Sequence, residues 1–527
     1  MKKIYIKIVT CLLPVFTATT LAMNAQTTPV SLEILKMKNI WINNTNNAAG
    51  GILDAPIKAA AADFEYNKVD GNFKFQQIGN DNSALKFNTN GGGIYKNLNG
   101  IYINGSFSYA KDDISGARWN ATLIDPLRGM PFFLADSTAS KWKNQSYKMG
   151  FQVGFPKLFN FLYLGMGANY EVAVAAKQID PRPYTRMSKI EIKPSLIFEI
   201  NQNNHFGLNF HYYNYREDGN ANNSNSLVDP QGWEIVAPGF FTQGIIGSFS
   251  AINTLRNYNA NALGGGAQYS FSKNKFKLLL DGNYIYKVED VTANYTKPYM
   301  SGTVKETKWD AGLVMQYNVC SKNLLSFKYK HTNRSIDGIE YFQTYDNTYE
   351  IQSWITDAKF IRSNFETITD KVNLDYVIIK EDQTEYSWYF GIDGSYNQDS
   401  YIYYVPKSTR DIKFIDMNAR IAHNFIINQG NSIVVNIKGG YNKNTKGEFD
   451  YNGTRKDNVA YTNFALVDYR YMCTDYTKIG VGFTYIYKVL KKHLMSLYFS
   501  GNYDYYSPSG DEFDKRQFIT FKIGVAF

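Results

Sequence analysis

Long apolar runs are missing from this chain. Beyond its first 25 residues, none of its 527 residues belongs to an uninterrupted apolar stretch of the roughly 18 residues that a membrane-crossing helix needs. Cysteine is nearly absent: only Cys320 and Cys473 lie beyond residue 25, which excludes a disulfide framework and leaves two free thiols or one bond. Histidine is scarce as well. His205, His211, His331, His423 and His493 include no pair at metal-ligand spacing. No stretch resembles a nucleophile elbow, and no glycine-rich phosphate loop precedes a helix, so the chain reads as a non-enzyme without cofactor or metal. No basic cluster stands out, which excludes nucleic acid as a partner. The net charge of +9 falls to +6 once three lysines near the amino terminus are set aside, a spread-out excess that favours anionic solutes in a lumen.

What the chain does contain is aromatic and polar. Tyr and Phe number 42 and 35, yet mean hydropathy is negative at -0.36. That combination is expected of strands with one face on lipid and the other on water. The last seven residues display it most sharply. As a strand they put Phe521, Ile523, Val525 and Phe527 on one face and Lys522, Gly524 and Ala526 on the other.

The same period of two recurs through most of the chain. Ile190, Ile192, Pro194, Leu196, Phe198 and Ile200 oppose Lys189, Glu191, Lys193, Ser195 and Glu199; Ile479, Val481, Phe483 and Tyr485 oppose Gly480, Gly482, Thr484 and Ile486. No blade repeat is visible, and Tyr and Trp recur toward strand ends as in aromatic girdles. Backbone groups in lipid must all be paired, which for strands means closure. The expected fold is therefore all-β, a transmembrane antiparallel β-barrel of about 16 strands (range 14–18) with a short N-terminal plug or tether. Counted from a short periplasmic turn at Asn428-Gln429-Gly430-Asn431, the strand parity is off by one somewhere between 444 and 515.

Three regions follow. Residues 1–25 read as a cleaved secretory signal, with Lys2, Lys3 and Lys7 before an apolar run and Ala25 at the cut. Cys11 precedes most of that run, unlike a lipoprotein cysteine. Residues 26–61 lack alternation and form an internal plug, a periplasmic tether or a flexible lead-in; Trp41, Asn47 and all but the last residue of the alanine run Ala59 to Ala62 lie here. Residues 62–527 form the barrel. Within it, stretches 111–145, 217–244 and 337–352 do not alternate and read as extracellular loops. The first holds Trp119, Asp125, Arg128 and Asp136 and is the candidate constriction; Asp180 and Arg182 belong to a second, proline-stiffened loop. Lys189, Glu191, Lys193 and His211 are the candidate lumen residues on strands.

Trp41, the run Asn46-Asn47-Ala48-Ala49-Gly50, Arg128-Gly129-Met130-Pro131, Asp180-Pro181-Arg182 and the terminal Phe together resemble the uncharacterised outer-membrane barrel proteins of Bacteroides-type bacteria. The Asn-Ala-Ala-Gly run is also similar, more distantly, to the Asn-Pro-Ala-Gly segment of long-chain fatty acid transporters, with Ala48 where that motif has Pro. The resemblance implies an outer-membrane location and, from the second family, an N-terminal hatch; it implies no catalytic or ligand-binding residue.

Two functions fit. The first is a porin-like barrel for passive or gated uptake of a small solute or nutrient, of unknown identity. The alternative is a non-transporting accessory barrel docked to an outer-membrane receptor, lipoprotein, secretion or assembly complex. Either has outer-membrane lipid and the barrel-assembly machinery as partners, with Phe521, Ile523, Val525 and Phe527 as the insertion signal.

Overall fold

The computed structural model describes residues 27–527 except 55–57, 226, 247–251, 253, 295–296, 321, 349–352, 381–383 and 490–494. The signal read at 1–25, with Cys11, and His493 lie outside the described residues. In chain order the strands are β1 (Ala59–Asp70), β2 (Asp81–Tyr95), β3 (Ile101–Ala117), β4 (Phe133–Ala135), β5 (Ser140–Gly154), β6 (Leu162–Lys177) and β7 (Arg182–Asn201). Next come β8 (Asn204–Asn222), β9 (Gln231–Ala237), β10 (Phe240–Ile245), β11 (Leu255–Lys273), β12 (Phe276–Ala293), β13 (Tyr299–Cys320) and β14 (Asn323–Asp346). The last are β15 (Ser353–Ile379), β16 (Tyr386–Tyr404), β17 (Lys407–Asn428), β18 (Asn431–Asp450), β19 (Tyr476–Lys488), β20 (Ser496–Pro508) and β21 (Arg516–Ala526).

Eighteen of these make one closed antiparallel barrel, each paired with its sequence neighbours in the wall, and β1 closes on β21. The other three, β10, β9 and β4, form a small separate sheet. The barrel thus has 18 strands, a correction to the expected 16 that falls at the top of the range. The parity conflict resolves too. Between β18 and β19 the chain makes a π-helical turn, Tyr461–Ala465, and a helix, Leu466–Cys473, and an even count returns Phe527 to the end where β1 begins. Among the described residues no helix is long and apolar enough to cross a membrane.

Outward positions carry exposed Phe64, Met149, Leu263, Ile392, Ile437 and Val481, an apolar belt around the wall. Strands run on well past it. On β15, 27 residues long, the exposed apolar positions of the belt are Val372 and Leu374, near the end by the chain termini. Farther out both faces meet water, so alternation fades while the backbone ladder continues. For that reason 111–117 and 140–145 are strand (β3 and β5), as are 217–222 (β8) and 337–346 (β14), although their sequences read as loop. The alanine run is likewise not lead-in: it begins β1, where Ala61 and Ala62 pair with Ala526 and Val525.

At the closing seam Phe521 and Ile523 face outward, 44% and 61% exposed, and Phe499 stacks on Phe521. Val525 is half-buried opposite Ala62 and Leu497. Lys522, on the other face, reaches Glu65 at 3.0 Å and Asp63 at 3.7 Å. The Phe527 N–H donates to the Ala60 carbonyl at 2.9 Å, and Ala60 returns the bond at 3.1 Å. Replacing Ile523 by Arg should cost roughly 2–4 kcal/mol at the lipid face, whereas Lys522→Arg, turned inward, should leave the urea midpoint in vesicles unchanged.

Candidate functional site

The lumen is not an empty pipe, because the chain before β1 folds inside it. The helix Pro29–Lys38 starts with Pro at its first turn and Thr28 as cap, whose hydroxyl accepts the Ser31 N–H at 3.1 Å. It buries Val30, Ile34 and Met37 against Leu324, Val377, Ala422, Val434 and Ile486 of the wall. Two polar ties flank that contact: Glu33 with Arg420 at 2.8 Å, and the Thr28 hydroxyl donating to Glu385 at 2.8 Å. A second short helix, Ile40–Asn44, sets Trp41, 2% exposed, among Ile197, Leu279 and Val314. Asn47 accepts the Ala49 N–H at 3.1 Å, and its Nδ2 donates to the Leu196 carbonyl at 3.0 Å and to Gln268 Oε1 at 3.1 Å. Gly165 of β6 lets this turn approach: a Cβ there would lie 2.2 Å from the Ala49 nitrogen.

The other end is filled by loop 118–139, the β4-β9-β10 sheet and the helix Leu466–Cys473. Their core is aromatic. Trp119, 1% exposed and left-handed at φ 59°, packs on Trp233 and stacks on Phe464, while Phe132 takes the space that a side chain at Gly302 would need. Asp136 is fastened to Lys177 of β6 at 2.7 and 2.9 Å, both side chains buried. Asp468, on the buried face of the helix, accepts the Gln76 N–H at 2.8 Å; burial pushes its carboxyl up to about 7.

Beneath this cap runs a ring of ion pairs. Arg128 donates to Glu289 at 2.7 Å and Glu217 at 3.1 Å, with its guanidinium over the Tyr215 and Tyr258 rings. Lys287 joins Glu289 (3.0 Å) to Glu306 (2.7 Å); Arg334 grips Glu306 with two bonds of 2.7 and 3.0 Å and donates to the Arg128 carbonyl at 2.8 Å. Three cations meet three carboxylates, so the ring is neutral and joins the loop to β8, β12, β13 and β14.

Among the described residues, two polar chambers lie against these fillings. The upper, about 480 Å³, is lined by Asp125 and Arg128 of the cap and by Lys148, Lys189, Tyr213, Tyr215 and ring members of the wall. The lower, about 390 Å³, lies between Asn43, Asn44, Thr45 and Asn46 of the inner segment and strands β12 to β15. Of the residues singled out by sequence, Asp125, Arg128 and Lys189 line the upper chamber. Glu191 and His211, both buried, form a cluster with the half-buried Lys193, with Glu191 2.7 Å from His211 and 3.0 Å from Lys193. Trp41, Asn47, Trp119 and Asp136 pack the two fillings rather than facing a chamber. Asp180 accepts the Ser224 and Asn225 N–H groups at the rim, and Arg182, half exposed, reaches Asp180 at 3.1 Å. The ring residues Glu217, Lys287, Glu289, Glu306 and Arg334 were not singled out. Their signal is the spacing of two in Lys287-Val288-Glu289, charges on the inward register of a strand. Among the described residues no group of His, Cys, Asp and Glu is arranged to hold a metal.

The family match comes from the whole wall. The chain belongs to DUF6850, a family of unknown function, which matches residues 49–527. No curated protein matches the sequence. Among solved structures the chain is similar to the ferric preacinetobactin receptor BauA from Acinetobacter baumannii, at 9% identity and a TM-score of 0.40, over 90% of this chain and 80% of that one. It is also similar to a Pseudomonas aeruginosa FadL homologue, at 10% identity and a TM-score of 0.34, over 91% and 92%. The copper transporter OprC gives 7% and 0.37, over 88% and 81%. The likeness is one of fold.

Arg128→Ala should strand the buried Glu217 without a cation and loosen the cap by roughly 3 kcal/mol, read as faster hydrogen exchange and proteolysis within 118–139. Because the folded pKa of Asp468 lies above its ordinary 3.8, the native state holds that proton more tightly than the unfolded one. Docking of helix Leu466–Cys473 should therefore weaken as pH rises from about 4 to about 7 and then level off. Asp468→Asn should remove that dependence in hydrogen exchange of the helix.

Proposed function

We propose that the chain is an outer-membrane barrel that takes up a small solute by a gated route, with residues 27–54 as plug and loop 118–139, β9, β10 and helix Leu466–Cys473 as cap. The observation that carries this reading is the pair of polar chambers held between two fillings, each docked on the wall by side chains and continuous with it only through short connections. A structural stopper has no need of such space, whereas a carrier of polar cargo does. The longest segments between wall strands, 118–139, 223–254 and 451–475, all lie at the end away from Ala59 and Phe527, the pattern of an extracellular side. In this reading Phe521, Ile523, Val525 and Phe527 form the strand recognised by the barrel-assembly machinery.

One observation favours the accessory alternative. The β14–β15 hairpin extends beyond its neighbours, since residues 353–362 have no partners on β16, and Phe342, Ile355, Phe360 and Ile361 are exposed there. A stable partner co-purifying through that hairpin, with no solute passage, would decide for docking.

Gly165→Leu tests the transport reading directly, because the new side chain collides with Ala49 and should dislodge the plug. Conductance in planar bilayers should rise at least about tenfold over the wild type, as a filled lumen becomes a water-filled one. If neither this variant nor a 27–54 deletion conducts ions or admits solute into liposomes, transport is excluded.

A further inference from the structure

The two chambers differ in how their charges are satisfied. In the upper one Arg128, Lys287 and Arg334 are held in the neutral ring, and Lys148 pairs with Glu171 at 2.9 Å. In the lower one the carboxylates are hydrogen-bonded elsewhere, and the lining lysines have no carboxylate at ion-pair distance, although Lys330 still feels Asp281 and Lys328 feels Asp375 through space. Asp310 is engaged by Lys308 at 3.3 Å and the Thr332 hydroxyl at 2.6 Å; Asp281 is engaged by Gln268 at 3.0 Å and Asn283 at 2.6 Å. Lys328, Lys330 and Lys371 line the same chamber, and the side chain of none of them forms an ion pair or hydrogen bond with another described residue. Lys330 and Lys371 are moreover direct cross-strand partners on β14 and β15, with Gly312 the partner of Lys330 on its other side.

Like charges placed directly opposite destabilise a sheet. An arrangement that keeps them so, beside a third lysine and with no carboxylate at ion-pair distance from any of the three, is relieved by a bound anion. Across the chamber stand Asn43 and Asn44. Their Nδ2 groups donate to the Lys36 and Asn39 carbonyls and to the Ile40 carbonyl, which leaves side-chain oxygens to accept from a guest.

We propose that the lower chamber binds a small organic anion, its carboxylate or phosphate held by Lys328, Lys330 and Lys371 and its hydroxyl groups by Asn43 and Asn44. At about 390 Å³ the space suits one guest of a few linked polar groups. This names the cargo class of the transport reading and rests on it.

Isothermal titration of the full chain in detergent at low salt, with gluconate, inorganic phosphate and glucose as probes, tests the assignment. Gluconate should bind, phosphate more weakly, and glucose not measurably. Lys371→Gln should weaken gluconate by at least about tenfold, the loss of one charge-assisted contact. Its thermal midpoint without ligand should stay level or rise, because a like-charge pair is relieved. Lys148→Gln, in the upper chamber, should leave gluconate affinity unchanged. Equal binding of glucose and gluconate, binding of neither anion, or an unaltered affinity in Lys371→Gln overturns the site. Liposome uptake is read separately: anion binding without uptake overturns transport alone, and uptake of glucose with no anion preference overturns the anion site alone.

Discussion

Everything in this molecule follows from one requirement, that no backbone N–H or C=O be left unpaired in lipid. An open sheet cannot meet it, since its two edges would lie in hydrocarbon, so β1 must pair with β21 and the wall must close. Closure fixes an inside and an outside for each residue. The exposed Phe64, Ile437 and Ile523 can then face lipid while Lys522, one residue away, finds Asp63 and Glu65 within the lumen.

The inward face brings its own constraint, because apolar side chains there would meet water. Ile197, Leu279, Val314, Leu324, Val377 and Ile486 break the polar-inside rule, and each lies against the inner segment. The wall thus carries a negative image of its filling. Where no filling reaches, the inward face is charged and hydrated, and the chambers lie there. Between filling and chamber sits the ring from Glu217 to Arg334, a set of buried charges that depends on one loop residue, Arg128, to be complete. A filling held by side-chain packing and polar ties is one that can be displaced without unmaking the wall, since the ladder hydrogen bonds belong to the strands alone.

The legible part of the sequence was the belt. Strands near 190 and 480 stood out because lipid on one side and water on the other force alternation. Above the belt that force is gone, and the strand residues 111–117 and 337–346 read as loop. The helix Leu466–Cys473 hid for a related reason: the contacts that dock it, Asp468 with Gln76 and Tyr471 with Phe73, are long-range, and its own residues carry only a weak helical pattern. Arg128 could be singled out from its loop, but its partners Glu217 and Glu289, on β8 and β12, could not be matched to it.

The closing strand, the class of fold and the side of the wall on which Lys189, Glu191 and Lys193 stand were settled by the sequence alone, because a period of two is a local property of neighbouring residues. The strand number, the docking of residues 27–54, the neutral ring and the unpaired lysines of the lower chamber were decided only by the tertiary structure. Each depends on which strands lie side by side. Lys330 and Lys371 are ordinary inward lysines until the register of β14 on β15 puts them face to face.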